Sequence, residues 1–484
     1  MAVRAELNCV TTEMPPEMTI DLRLDADEAP LLTDFYLLTM AAAYFASGNN
    51  DTACFSMFTR RMPPRRGFLV AAGLERLLEA IEQFHFAPRV LEYLESLRLF
   101  TPEFLSFLGT LRFTGEVWAM PEGTIFFATE PILEVRAPLI EAQLLETLVL
   151  NQAGFGSLIA SKAARSLAVA GGRRLIDFGL RRSQGADAGL VAARSSYLAG
   201  FAGTSNVLAG MRYGIPLYGT MAHSYVMAHE REREAFDSYV KVFPRLSTLL
   251  VDTYDTMRGV ENAATVALEL REKGVKLQGI RIDSGDLLEL SKRARRLLDR
   301  RGLSDVPIFA SGNLDEYHIA ELVKAVAPID AFGVGTAMTV SADAPALDVA
   351  YKLVEYRGEP RLKTSSEKVT LPGRKQVFRA CNATGGFYAD LVGLFEESSE
   401  SLEREFRPPP RSVHPMLERV FADGHRIGAP PALRETRERF LESFARLEPR
   451  YKDVDRPETF PVRPSAALNA LLISEKLRAG RRQG

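Results

Sequence analysis

A chain of 484 residues is longer than one ordinary hydrophobic core supports, so two or three domains are expected. Hydrophobic residues make up 46% and charged residues 25%, and no run approaches the ~20 apolar residues of a membrane-spanning helix, so no membrane protein is expected. With 60 basic against 62 acidic residues the formal charge is −2, which excludes a global field for nucleic acid or an anionic membrane and leaves anion binding to a local pocket.

Residues 1–25 are mixed, contain a Pro-Pro pair and lack a continuous apolar stretch, so they read as a loose leader. An N-terminal α/β domain is expected over 26–145. It starts with LLTDFYLLTMAAAYF, a helix by its apolar spacing, with Thr33 or Asp34 as N-cap. DTACFSMFTRRMPP alternates as a strand does before a proline stop, and 67–107 reads as helical throughout. Short strands broken by Pro and Gly come next over 116–138, then long helices over 140–170. Cys9, Cys54 and Cys381 are far apart, odd in number and in no C-x-x-C pattern, which argues against a disulfide framework or zinc site and for a reducing cytoplasm.

The α/β catalytic part is expected over 146–345. Six short apolar runs recur from residue 174, namely RRLIDFG, IPLYGT, STLLVDT, KLQGIRID, VPIFASG and DAFGVGT. Several are separated by helical segments such as ENAATVALELREKG and DLLELSKRARRLLDRRG. This alternation implies βαβ units and a parallel sheet, doubly wound or closed as a barrel; six strands fall short of the eight of a complete TIM barrel, so any barrel is irregular or incomplete. Beyond 345, over 346–484, come strand-like pieces (YKLVEYRG, KVTLPGRKQVFRA, GFYADLVGLFEE), a charged helix, PALRETRERFLESFARL, and a Pro-containing tail. That segment reads as an appended or returning domain.

The residues just past each strand carry the chemistry. Arg181-Arg182-Ser183 come after the first, His223-Ser224 after the second, Asp252 and Asp255 after the third. Arg281, Asp283, Gly285 and Asp286 surround the end of the fourth, Ser311-Gly312-Asn313 the fifth, and Gly333-Val334-Gly335-Thr336 the sixth. Parallel sheets place active sites at such carboxyl ends, so one site built by six loops is expected. Gly312, Gly333 and Gly335 suit a phosphate, because backbone N–H groups can approach its oxygens where no Cβ intervenes. In RIDSGD, Asp283 and Asp286 can hold sugar hydroxyls or Mg²⁺ through water, and Asp286 can equally cap the next helix. Arg181 or Arg182 can clamp an anionic group; as neighbours they are expected to point apart, so that at most one reaches a given ligand group. Phe178 is a stacking face or plain core. His223 lies within the cluster, whereas His229 is expected on the following helix towards solvent. Their six-residue spacing lacks the i, i+4 pair of a zinc site, which favours a catalytic or phosphoryl-accepting His223.

These segments, together with GTSNVLAG, YGTMAHSYVMA, VDTYDT, ASGNLDE and HPMLERVFADG, resemble the nicotinate phosphoribosyltransferase family in order from about Leu31 to Pro464. The resemblance implies an irregular TIM-like α/β barrel beside a second α/β domain built from N-terminal and returning C-terminal segments. It implies condensation of nicotinate with phosphoribosyl diphosphate to nicotinate mononucleotide and diphosphate, coupled to ATP hydrolysis, with Mg²⁺. The family's phosphohistidine falls on His223. By the same resemblance Tyr36 comes from a neighbouring subunit to cover the nicotinate ring opposite Phe178, so a homodimer with shared sites is expected. Arg181 then binds the nicotinate carboxylate or the phosphoribosyl group, and Asp252, Arg281 and Asp283 position ribose and diphosphate. Gly312, Gly333 and Gly335 cradle the 5-phosphate, with Ser311 and Thr336 in the same loops. Gly203-Thr204 is followed by Ser205 where the nicotinamide-using relative has Asp. A neutral serine can donate to a carboxylate that an aspartate would repel.

The competing readings are a nicotinamide phosphoribosyltransferase, a quinolinate phosphoribosyltransferase needing further cations, a sugar-phosphate aldolase or isomerase, and a non-catalytic binding protein. The aldolase or isomerase reading wants a strand-end lysine for a Schiff base or a carboxylate base beside a histidine, and none of the six strand ends carries a lysine. The parts played by Lys352, Lys363 and Arg379 stay open.

Overall fold

The computed structural model describes residues 26–364 and 370–482; the expected leader, 1–25, lies outside them. The helix expected at the start forms over Phe35–Ala46 with Asp34 at its N-cap position. Asp34 does not cap it, since its carboxylate accepts from the Thr147 hydroxyl at 3.0 Å. The alternating run at 52 forms the strand Thr52–Thr59, buried on both faces because a sheet and helices cover it. The stretch 67–107 is less uniformly helical than its pattern implies. A short strand, Leu69–Val70, precedes the helices Leu74–Glu82, Pro88–Ser96 and Pro102–Thr110, and pairs with Ile125–Phe126. Two-residue strands in a fully buried apolar run leave no alternation to read.

The N-terminal and post-345 segments share one antiparallel sheet. Thr52–Thr59 lies between Val349–Tyr356 and Pro131–Pro138, while Glu116–Ala119 pairs with both Pro131–Pro138 and Glu418–Ala422. A smaller four-stranded sheet runs Ser412–Pro415, Lys375–Cys381, Phe387–Leu394 and Val462–Pro464. The returning segment is therefore woven into the first, and the tail carries a terminal helix, Ala466–Arg482.

The central sheet is a parallel six-stranded half-barrel, ordered Gly203–Thr204, Arg174–Asp177, Ala331–Val334, Ile308–Ala310, Gly279–Ile282 and Thr248–Leu250. The first strand after residue 170 thus pairs with the last, Asp177 against Val334, which draws loops distant in sequence together. One expected strand is corrected. IPLYGT contributes only the bridge of Leu217 to Thr204, and the sixth place is taken by Gly203–Thr204. Pro216 has no N–H for a ladder, and the residue before a proline is itself restricted, so that segment lies along the edge as a loop.

The long helix Glu146–Val169 packs on the barrel side and on the first sheet, contributing Ile159, Ala160, Ala163 and Ala164 to one apolar core and Leu148, Val149 and Ala153 to another. Its small residues let neighbouring backbone come close: a Cβ on Gly156 would sit 2.8 Å from the Ala72 carbonyl oxygen. Among the described residues no helix is long and apolar enough to cross a membrane.

Candidate active site

The strand ends of the half-barrel open into a cavity of about 250 Å³. It is lined by Phe178, Arg181 and Arg182, by Arg281 and Asp283, by Ser311, Gly312 and Asn313, and by Gly333, Gly335 and Thr336. Larger cavities exist elsewhere, one of about 300 Å³ beside Lys352, Lys363 and Lys375 and one of about 360 Å³ within the sheet. Chemistry rather than size distinguishes this one. Both arginines of the adjacent pair line it, at the 3₁₀ turn Leu180–Arg182.

Arg281 organises the floor. Its guanidinium donates from Nε to the Ser311 hydroxyl at 2.8 Å, from Nη1 to the Thr220 hydroxyl at 2.9 Å and from Nη2 to Asp283, and lies 5.4 Å from the Phe178 ring centre. Four loops are tied to one planar group. Asp283 Oδ1 also accepts from Ser311 at 2.6 Å, and Oδ2 faces His223 Nε2 at 3.8 Å. Burial opposes ionisation of Asp283, but the Ser311 hydroxyl, Arg281 and His223 outweigh it and hold the carboxyl below its ordinary range.

Asp252 Oδ2 accepts from the Asp283 backbone N–H at 3.0 Å and from Ser284 at 2.6 Å, while its Oδ1 is buried and has no hydrogen-bond partner. A buried carboxylate oxygen left open is a place where a cation or ligand donor fits. Among the described residues no three His, Cys, Asp or Glu side chains are grouped to hold a metal by themselves. Asp286 is drawn instead to the helix Leu287–Arg300, where it caps the Glu289 N–H at 3.1 Å, and it does not line the cavity.

His223 begins the short helix His223–Met227, its side chain 39% exposed and its Nδ1 3.2 Å from the Thr253 hydroxyl. His229 falls just after that helix rather than on it, with Nδ1 donating to the Tyr225 carbonyl at 2.9 Å and its ring against Tyr225. That local bond accounts for its position.

The glycines answer to close approach. Gly312 has φ +96°, and a Cβ there would lie 1.9 Å from the Asp283 carbonyl oxygen. At Gly333 a Cβ would meet the Phe178 ring at 2.7 Å and the Phe309 ring at 3.0 Å. Thr204 is fully buried; its hydroxyl donates to Asp177 at 2.7 Å and accepts from the Asn206 N–H, so it braces the wall and does not line the cavity. Burial pushes the Asp177 carboxyl up, against the pull of the Thr204 hydroxyl and the Gly179 N–H. Ser205, half-buried, comes next at the same strand end, its N–H on the Asp177 carbonyl. Tyr36 stands 48% exposed on the helix Phe35–Ala46 and does not line this chain's own cavity.

Sequence reasoning passed over Thr220, Thr253, Asp177 and Phe309. A charged residue inside the apolar run LIDF was a usable signal for Asp177; the hydroxyls at 220 and 253 fall within YGTMAHSYVMA and VDTYDT, but only loops brought together in space reveal their partners.

Three family profiles match in order: the nicotinate phosphoribosyltransferase N-terminal domain over residues 31–152, the nicotinate phosphoribosyltransferase family over 173–375, and the nicotinate phosphoribosyltransferase C-terminal domain over 374–472. The chain is 50% identical over 397 residues to nicotinate phosphoribosyltransferase pncB2 of Mycobacterium tuberculosis, covering 82% of each chain. It is 38% identical to the nicotinate phosphoribosyltransferase of Bacillus subtilis over 90% of this chain and 93% of that one. The crystal structure of human nicotinic acid phosphoribosyltransferase superposes with a TM-score of 0.81 at 32% identity, over 91% of this chain and 99% of the human one. On profiles spanning most of its length and relatives of this identity, the chain belongs to the nicotinate phosphoribosyltransferase family.

Proposed function

We propose that this chain condenses nicotinate with phosphoribosyl diphosphate to give nicotinate mononucleotide and diphosphate, coupled to ATP hydrolysis through a phosphoryl group carried on His223. The observation that carries the reading is the Arg281 cluster, in which one guanidinium, one ionised carboxylate and two hydroxyls are held against Phe178 at the mouth of two glycine-walled strand ends. No lysine lines this cavity, which removes the Schiff-base alternative.

In the reaction the anomeric C–O bond breaks, diphosphate leaves with the electron pair, and the pyridine nitrogen supplies the pair for the new C–N bond. Positive charge grows on the ribose and negative charge on the leaving group. Asp283, ionised and aimed by Arg281 and Ser311, faces the ribose, while Arg281 offsets charge on the diphosphate. Arg181 takes the nicotinate carboxylate or the phosphoribosyl group; Phe178 stacks on the ring, and Ser205 donates to the acid where an aspartate would repel it. The 5-phosphate sits on the N–H groups of Gly312, Gly333 and Gly335, flanked by Ser311 and Thr336. Mg²⁺, when bound, neutralises the diphosphate, and Asp252, with its open buried Oδ1, and Asp283 fit it, as Mg²⁺ takes few carboxylates plus substrate oxygens. The exposed Tyr36 covers the nicotinate ring of a neighbouring subunit in a homodimer. Residues 146–345 form the irregular TIM-like barrel and the flanking segments the second α/β domain, in a cytoplasmic protein with the free thiols Cys54 and Cys381.

The test is mononucleotide formation from labelled nicotinate and phosphoribosyl diphosphate, with and without ATP and against nicotinamide. Absence of product under every condition overturns the assignment. A His223→Ala enzyme that keeps full stimulation by ATP overturns the phosphohistidine role alone.

A further inference from the structure

The inward residues of a parallel barrel are normally bulky and branched, and they fill it. Here a cavity of about 360 Å³ is lined near the strand starts by Thr248, Gly279, Pro307 and Ala331 and further along by Ile176, Ile308 and Phe309, and it extends to Leu217 and Thr220 at the open sheet edge. It lies nearer the amino-terminal ends of the same strands than the strand-end cavity does. Three contacts span the boundary between the two. Phe178, of the upper cavity, packs on Phe309, of the lower, at 5.6 Å between ring centres and 44° between planes. Gly333 is so placed that a Cβ would strike both rings. Arg281, above, donates to Thr220, below. Two packed rings and one hydrogen-bonded pair therefore lie between the polar site of about 250 Å³ and the cavity of about 360 Å³.

We infer that Phe309 is a specificity-determining residue of this enzyme: it backs Phe178 and closes the floor of the acceptor pocket, so that only an unextended pyridine ring fits above it. The inference rests on the proposed stacking of nicotinate on Phe178. Phe309 touches no reacting atom and acts through Phe178, as a positioning residue. Gly333 is the second half of the device. By lacking a Cβ it lets the two rings meet and close the gap between the cavities. A substituent that tests this must leave the attacking nitrogen and the carboxylate free. Carbon 5 of nicotinate is the one ring position adjacent to neither the nitrogen nor the carboxylate-bearing carbon.

The experiment measures kcat/KM for nicotinate, 5-methylnicotinate and 5-phenylnicotinate in the wild type, Phe309→Ala and Phe309→Leu, together with KM for phosphoribosyl diphosphate and thermal melts. The expected result is that Phe309→Ala narrows the preference for nicotinate over 5-phenylnicotinate about tenfold or more, in line with what apolar pocket contacts discriminate. KM for nicotinate rises, KM for phosphoribosyl diphosphate stays within about threefold, and Phe309→Leu recovers most of the discrimination. A folded Phe309→Ala enzyme with unchanged acceptor preference overturns the inference. So does equal loss on all acceptors accompanied by an equal rise in KM for phosphoribosyl diphosphate, the mark of a merely structural residue. Failure of the wild type to use nicotinate at all overturns the proposed function instead, which keeps the two failures apart.

Discussion

Two clusters of charge in this molecule use the same residue types to opposite ends. Behind the half-barrel, Lys162 and Arg165 of the long helix meet Glu316 at 2.7 Å, and Lys162 and Arg66 meet Asp343 at 2.7 and 3.0 Å. Lys162, Arg165, Arg66 and Glu316 are all buried, each with its counter-ion in place. At the strand ends, Arg281 and Asp283 are paired as closely, yet Arg181 and Arg182 stand exposed above them and Asp252 keeps a buried oxygen without a partner. A network closed on itself joins helices; one with open valences at a cavity is arranged for something that arrives. Isolated charge counts do not separate the two, because what distinguishes them is unsatisfied capacity next to space.

The sharpest way to break the comparison is Glu316→Ala, which removes the one carboxylate paired with buried Arg165 and one of the two paired with buried Lys162. It is expected to destabilise by about 3–5 kcal/mol, read as a lowered unfolding midpoint, while the surviving folded enzyme keeps its KM values. Arg281→Ala is expected to act mainly on turnover, lowering kcat/KM by about 10²–10³ with a smaller drop in the melt than Glu316→Ala. Gly312→Ala strains a left-handed position and pushes on the Asp283 carbonyl, so KM for phosphoribosyl diphosphate should rise about tenfold, a displacement effect of the kind misplaced catalytic groups show. Ser205→Asp should shift the nicotinate-to-nicotinamide turnover ratio towards the amide by about tenfold, measured with the two acceptors in competition; no shift would remove the role given to Ser205.

The smallest effect concerns pH. The Asp283 carboxyl is lowered in the folded state from the usual 3.8. Its contribution to stability is therefore present above that unfolded value and is lost only as pH falls through the lower folded value. From pH 5 to 9 it stays ionised, so Asp283→Asn should lower the rate across that range without removing a limb from the wild-type profile. A limb that disappears in the variant would contradict this.

The alternation of strands and helices after residue 174, the polar strand ends and the closely approached glycines were all legible, because each is a local signal of period, turn chemistry or missing Cβ. The strand assigned to IPLYGT was misplaced for an equally local reason: an apolar run of four looks the same whether it pairs along its length or, with a proline inside it, only bridges at Leu217. Arg182 and Asp286 needed coordinates. Both arginines line the cavity at a 3₁₀ turn, and a helix start decided that Asp286 caps instead.

By itself, then, the sequence determined which chemistry each loop could offer and in what order along the chain, since residue type and neighbouring turn residues are intrinsic to the segment. Tertiary structure alone decided who meets whom. Pairing Arg174–Asp177 with Ala331–Val334 brought Phe178 beside Gly333, and packing of the next strand brought Phe309 beneath both. Partners more than a hundred residues apart are chosen by how a sheet closes, and no local pattern encodes that closure.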